Sequence, residues 1–298
     1  MKKSFKTRAR QHQVKFRTDV LEADFNTYTT WLADEAAKDG KNFYKGFEIF
    51  NVVQQRKPKF YIDLYSDMLR SEHIPFNLFV PFRHDLEFCK NVFNEFLGGC
   101  IKSIDKTCII DNKENIKIEF APKPKENYLN DGTSFDTYIE YTHIDNSKGL
   151  IGIEVKYTEK EYPLKAGSKQ EQDINNKNSK YYNVSNLSEI YESNSFDLLL
   201  SDIFRQIWRN QLLAESIRLT DNDKFKYSTS IIFFPKDNTH FVETSGKYID
   251  MLKNKSTKFI PVTYENFLSA CNKHCPADTN YKKWLDYLEK RYIVADED

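Results

Sequence analysis

The sequence predicts an α/β fold with a mixed central sheet and helical additions at both ends. Three observations carry that prediction. Strand-like runs cluster between residues 116 and 159, a long amphipathic helix follows at 197–219, and the buried-type run "STSIIFFP" comes after it. With a helix ahead of the cluster, the order helix, strands, helix, strand gives an antiparallel start, a crossover helix and one more strand.

The elements follow in chain order. The first ~80 residues read as helical. "TDVLEADFNTYTTWLADEAAKD" spaces apolar residues by three and four and ends at "GKN", a glycine stop. "KFYIDLYSDMLRS" is a second short helical pattern, whereas Pro75 argues against one uninterrupted helix through "IPFNLFVPF". "RHDLEFCKNVFNEFLGG" is amphipathic, with Leu86, Val92, Phe93, Phe96 and Leu97 on its apolar face and Gly98-Gly99 to end it. Three strands come next: "IKIEFAP", "FDTYIEYTH" and "LIGIEVKYTE", the last two joined by the hairpin-length turn "IDNSKG". A polar stretch at 160–195 leads into the long helix. After "STSIIFFP" the chain alternates a helix, the short strand "KFIPVTY" and two more helical segments. The expected division is 1–82, mostly helical; 83–240, the α/β core; and 241–298, an α/β extension, packed together as one unit.

Composition narrows the function classes. The 298 residues are 40% hydrophobic and 30% charged, as in a globular protein rather than a disordered one. No apolar run reaches the ~18–20 residues of a membrane helix, and the basic start lacks the apolar core of a signal peptide. Net charge is zero, so attraction to nucleic acid requires a local patch. The first 17 residues supply one, with seven Lys or Arg and no acid. They would either neutralise backbone phosphates or form a solvated face. Five cysteines without framework spacing point to reduced thiols and a cytoplasmic location. Cys271, His274 and Cys275 lack a second ligand cluster, so they read as loop or core residues rather than a zinc site.

The chemistry concentrates in "GLIGIEVKYTE". Side chains alternate along a strand, which puts Ile151, Ile153 and Val155 on one face and Glu154 with Lys156 on the other. On the preceding strand Asp136 shares a face with Tyr138 and Glu140. Paired as a hairpin, the two strands bring Asp136 and Glu154 together, with Lys156 one pleat away. Two carboxylates suit a hard divalent cation such as Mg²⁺, which keeps several waters and accepts substrate phosphate. An adjacent lysine would orient water or neutralise developing charge. The bland alternative is a surface ion pair. Unpaired charges beside apolar neighbours cost several kcal/mol, however, which favours a functional reading.

This constellation resembles the PD-(D/E)XK nuclease superfamily, whose shared core is αβββαβ, with Asp136 and Glu154-Val155-Lys156 matching its motif. More narrowly, the chain resembles a bacterial restriction-endonuclease-like family through "RARQHQVKFR", "SEHIPFNLFVPF", "TSFDTYIEY", "GLIGIEVKYTE" and "FRQIWRNQLLAESI". The resemblance implies a restriction-endonuclease-like fold with Asp136, Glu154 and the Val155 carbonyl as ligands of Mg²⁺ or Mn²⁺ and Lys156 as the catalytic lysine. Phe135 stands where the motif has proline. Some members add a glutamate from the first core helix, for which Glu72, Glu87 and Glu95 are candidates. The implied activity is Mg²⁺-dependent cleavage of double-stranded DNA in bacterial restriction or phage defence. A homodimer and partner proteins of a defence system would accompany it. A non-cleaving nucleic-acid-binding module and an RNA-directed nuclease remain as alternatives.

Several neighbours are weighed beside these. Gln206 or Arg209 would reach a phosphate from the long helix, with Arg205 on the same face as Arg209; otherwise they form a basic surface. Glu159 and Glu161 would orient Lys156 or be surface acids. The Lys-, Asn- and Tyr-rich segment before the long helix would gate substrate or contact bases; otherwise it is mobile filler. His143 reads as a strand-end residue.

Overall fold

The computed structural model of the protein describes residues 3–108, 114–160 and 163–295; Glu161 lies outside them. The first helix, α1 (Phe5–Asp19), forms within the basic stretch, and Ser4 caps it by accepting the Thr7 N–H. The helix expected over 18–39 does not form. Beyond the last two residues of α1, only α2 (Asp34–Lys38) is α-helical there. Residues between them are held by local alternatives: Asn26 Oδ1 accepts the Thr27 N–H, and Phe25 bridges to Leu32. Asparagine and threonine compete with helix geometry in this way. Next come α3 (Ile49–Arg56), α4 (Ile62–Tyr65), which shortens the second expected helix, and α5 (Ile74–Phe79). Pro75 lies in the first turn of α5, where its missing N–H costs nothing, and Pro81 starts a 3-10 turn over Val80–His84. The segment is therefore helical but divided in two. Then α6 (Leu86–Asn94) is capped by Asp85, and Gly98 and Gly99 turn the chain at φ +66° and +76°.

Four strands, not three, precede the crossover: β1 (Ile101–Ile104), β2 (Ile116–Phe120), β3 (Phe135–His143) and β4 (Lys148–Val155). Both β1 and β2 run antiparallel to β3. The first covers Tyr141–His143 and the second Phe135–Ile139, so two short strands share one edge position. The short β1, "IKSI", offers too little periodicity to stand out in sequence. The hairpin β3–β4 is antiparallel. The polar stretch folds into α7 (Lys169–Asn175) and α8 (Lys180–Ser188), followed by α9 (Phe196–Leu199) and the crossover helix α10 (Asp202–Thr220). The next strand, β5 (Tyr227–Phe234), lies parallel to β4. A second crossover through α11 (Thr239–Asp250) adds β6 (Phe259–Thr263), parallel to β5, and α12 (Tyr264–His274) and α13 (Thr279–Tyr292) complete the chain.

The mixed sheet divides two cores. Ile139, Tyr141, Ile151, Ile153, Val155, Ile231 and Phe233 pack on the α5, α6, α12 and α13 side. The alternate residues Tyr138, Leu150, Ile232 and Phe234 face α8, α10 and α11. Residues from 5 to 292 thus join in a three-layer arrangement. At the seam of the chain ends, Gln13 donates to the Arg291 carbonyl at 2.7 Å and to Tyr157 Oη at 2.9 Å.

Phe135 explains one glycine in β4. A Cβ on Gly152 would meet the Phe135 ring at 2.2–2.6 Å, so the ring lies directly on the strand backbone. Gly246 is the opposite case, exposed in α11 with nothing within 4 Å of its added Cβ. In urea denaturation Gly152→Ala should lose about 1–3 kcal/mol through overpacking. Gly246→Ala should gain about 0.5–1 kcal/mol through helix propensity. Equal effects of the two substitutions would count against this packing.

Candidate active site

The register of the hairpin sets the site. Thr137 pairs with Ile153, and one residue further the same register puts Asp136 across from Glu154. Directly opposed residues of an antiparallel pair point to the same side, with Cα atoms about 4.5–5.5 Å apart. The pairing stops there because Asp136 uses its side chain instead: Oδ2 accepts the Val155 N–H at 2.7 Å. On the other edge of β4, the Lys156 N–H donates to the Phe233 carbonyl at 2.8 Å. The Val155 N–H and carbonyl therefore turn toward β3, on the Asp136 side.

Charge is crowded at this strand end. Glu154 Oε1 lies 2.6 Å from Lys156 Nζ, and each side chain is only 9% exposed. Gln206 Nε2 donates to the same oxygen at 2.6 Å, and Asn210 Nδ2 donates to Oε2 at 2.5 Å. Asp136 is half-buried, and its Oδ1 takes no hydrogen bond from the described residues. Burial pushes its carboxyl well above the usual range, and the Glu154 carboxylate adds to the rise. For Lys156 burial works against the ammonium, but Glu154, then Asp136 and Glu159, outweigh it and raise its pKa. Lys156 is thus held as a cation.

Asp136 and Glu154 open onto a cleft of about 500 Å³, also lined by Gln206, Arg209 and Asn210 together with the 125–134 loop and α7. Arg209 forms its far wall. It is 2.9 Å from Asp131 and donates to Thr133 Oγ1 at 2.6 Å, and with the Gln170 amide turned to satisfy its neighbours it also bonds that side chain. Burial opposes ionisation of Asp131, yet Arg209, Thr133 and Tyr181 lower its pKa. Lys125 and Lys169 add positive charge at the rim.

The structure brings Asp136, Glu154, Val155, Lys156, Gln206 and Arg209 to one place and leaves other candidates outside it. Arg205 turns from Arg209 to bond Asp202 and the Leu200 carbonyl. Glu87 pairs with Lys90, and Glu95 pairs with Lys273 and His274, both away from the cleft. Glu72 does not line it either. It lies nearer, beside Arg70 and within the field of Glu159, and burial raises its pKa. Glu159 accepts the Ser71 and Tyr157 N–H groups. His143 stacks on Tyr227 at the opposite end of β3. Asn210, Asp131, Thr133 and Gln170 were not expected. Asn210 was legible, since Gln206 and Asn210 stand four residues apart on one helix face. The Asp131 turn gave no signal beyond "DGTS".

Among the described residues no group of three or more His, Cys, Asp or Glu is placed to hold a metal ion, and this includes Cys271, His274 and Cys275. Two carboxylates line the cleft, and the carbonyl of Val155 turns to the Asp136 side behind them. This all-oxygen set fits a hard cation that keeps several waters. Burial first, and then the Glu154 carboxylate, raise the Asp136 pKa, and a bound cation would offset both.

Comparison with known proteins agrees with this geometry. The model of the PD-(D/E)XK nuclease superfamily matches residues 1–294. No curated protein and no solved structure matches the chain. No helix among the described residues is long and apolar enough to cross a membrane. With a mixed sheet, a carboxylate–lysine cluster at the end of its β3–β4 hairpin and a match over nearly all its length, the chain belongs to the PD-(D/E)XK nuclease superfamily.

Proposed function

We propose that the protein is a Mg²⁺- or Mn²⁺-dependent endonuclease that hydrolyses phosphodiester bonds of double-stranded DNA, in bacterial restriction or phage defence. The observation that carries the reading is the placement of Asp136 opposite Glu154 at one cleft, with Lys156 ion-paired beside them. Asp136, Glu154 and the Val155 carbonyl would hold the metal. When bound, the ion supplies Lewis-acid charge for the phosphorus centre and acidifies a water. Lys156, kept protonated by its acidic neighbours, would orient the attacking water and neutralise charge gathering on the phosphate oxygens. Gln206 and Asn210 fix the Glu154 carboxylate. Arg209 closes the cleft against the backbone.

The segments 1–82, 83–240 and 241–298 act as one unit in this reading. The five cysteines, none in a disulfide, suit a reducing cytoplasm. Double-strand cutting brings two copies to one site, and defence-system partners supply the biological context.

Asp136→Asn and Lys156→Ala should each lower Mg²⁺-dependent plasmid cleavage by at least about 100-fold, with circular dichroism unchanged. EDTA should abolish wild-type cleavage and Mn²⁺ should restore it. Full cleavage by either folded variant would end the proposal.

Stability of the metal-free protein gives a separate reading of the same site. The raised pKa means that folded Asp136 holds its proton more tightly than the unfolded chain. Its contribution is fully present below the ordinary value of 3.8 and is lost as pH rises through the folded value. The Asp136→Asn variant keeps an acceptor for the Val155 N–H and cannot ionise. Its thermal midpoint without metal should exceed that of the wild type by a margin that widens as pH rises above 4. A margin independent of pH would show that Asp136 carries no such strain.

A further inference from the structure

A second cleft, of about 440 Å³, opens just past the end of β4, at Thr158 and Glu159. Lys6, Arg10, Arg70, Tyr28, Trp31 and Glu159 are among its lining residues. The two clefts share a strand end: Glu154 opens onto one, Thr158 and Glu159 onto the other, with Lys156 between them in the chain. Four residues of extended chain span at most about 14 Å. At ~3.4 Å of rise per phosphate along one strand, that is about four nucleotides.

The cations of α1 divide by direction. Arg8 is buried against Asp237 at 2.7 Å, and Arg17 bonds the Thr29 carbonyl at 3.1 Å with its guanidinium 5.0 Å from the Phe25 ring. These two hold the helix and shape the 25–31 turn. Lys6 and Arg10, one helical turn apart, are exposed, line the cleft and pair with none of the described residues. Across from them Tyr28 is 58% exposed and meets Trp31 edge to face at 4.8 Å, while the Trp31 indole engages Asp67. The turn is braced by the Trp31 N–H on the Tyr28 carbonyl at 2.8 Å. Two unpaired cations facing an anchored, exposed aromatic are the chemistry of a stacked base and its phosphate.

We propose that this cleft is a nucleotide subsite for an unpaired residue of the DNA strand flanking the scissile bond. Lys6 and Arg10 take its phosphates, and Tyr28, backed by Trp31, stacks on its base. The subsite rests on the nuclease reading for its place in the reaction but not for its binding, so it is tested without cleavage.

The test is fluorescence anisotropy of a labelled single-stranded oligothymidylate with the full chain in EDTA. Lys6→Ala/Arg10→Ala should weaken binding about tenfold and reduce the slope of log affinity against log salt by about 1.4, at ~0.7 per phosphate. Tyr28→Ala should weaken it about tenfold with the slope unchanged. Trp208 and Trp284 are wholly buried, so intrinsic fluorescence should be quenched by the oligonucleotide and Trp31→Phe should remove the quench. Unchanged affinity in both the double variant and Tyr28→Ala would overturn the proposal. So would a quench that survives Trp31→Phe, or tighter binding of a matched RNA through the same residues. If the protein binds as expected but cuts nothing with Mg²⁺, the nuclease reading fails and the subsite stands. If it cuts while the double variant binds normally, the subsite alone fails.

Discussion

Two carboxylates facing one another at the end of an apolar sheet are the constraint around which this side of the molecule is arranged. Burial and proximity both disfavour their shared ionisation, and together they push the Asp136 pKa well above the usual carboxylate range. Everything nearby offsets that cost. The Val155 N–H serves Asp136, while Lys156, Gln206 and Asn210 serve Glu154. A buried charge pair contributes little net stability when its desolvation is counted. The arrangement therefore makes more sense as readiness for a cation and a phosphate than as a device for holding the fold together.

The same contacts explain why the crossover helix takes the rotation it has. One face of α10 buries Phe204, Ile207, Trp208, Leu212 and Leu213 in the second core. Gln206, Arg209 and Asn210 extend to the cleft. Arg209 then ties the loop carrying Asp131 and Thr133 to the helix, and Tyr181 of α8 joins at Asp131. A polar stretch without a strong periodic signal is thereby recruited as a wall of the cleft rather than left as a connection.

Much of the core was readable from residue order. The hairpin β3–β4, the long helix, β5 and β6 all fall where alternation and apolar runs place them, because each is specified by its own local pattern. Less was readable in the first 80 residues, where long-range packing overrides local periodicity. The apolar spacing at 18–39 belongs to a turn held by bridges to Leu32 and Asp67. The strand β1 was missed because four residues give a period-2 pattern too little length. Around the cleft, the charged residues on β3 and β4 stood out against apolar neighbours. The walls did not: Asp131, Thr133 and Gln170 are ordinary turn and helix residues until Arg209 gathers them. Glu87 and Glu95 looked equivalent to Glu72 in sequence; in the fold their ion pairs, with Lys90 and with Lys273 and His274, take them away from the cleft.

The Gln13 side chain has partners far along the chain, Tyr157 and the Arg291 carbonyl, the latter separated from it by 278 positions. At ~5–20 residues per second of synthesis, α1 emerges from the ribosome roughly a quarter to one minute before α13 can close over it. During that interval α1 has its contacts to the 23–29 turn, but the buried Gln13 side chain lacks its Arg291 partner. Closure of α13 over α1 is consequently a late step in the folding of these residues, and the Gln13 face of the first helix must be kept from other partners until α13 has been made.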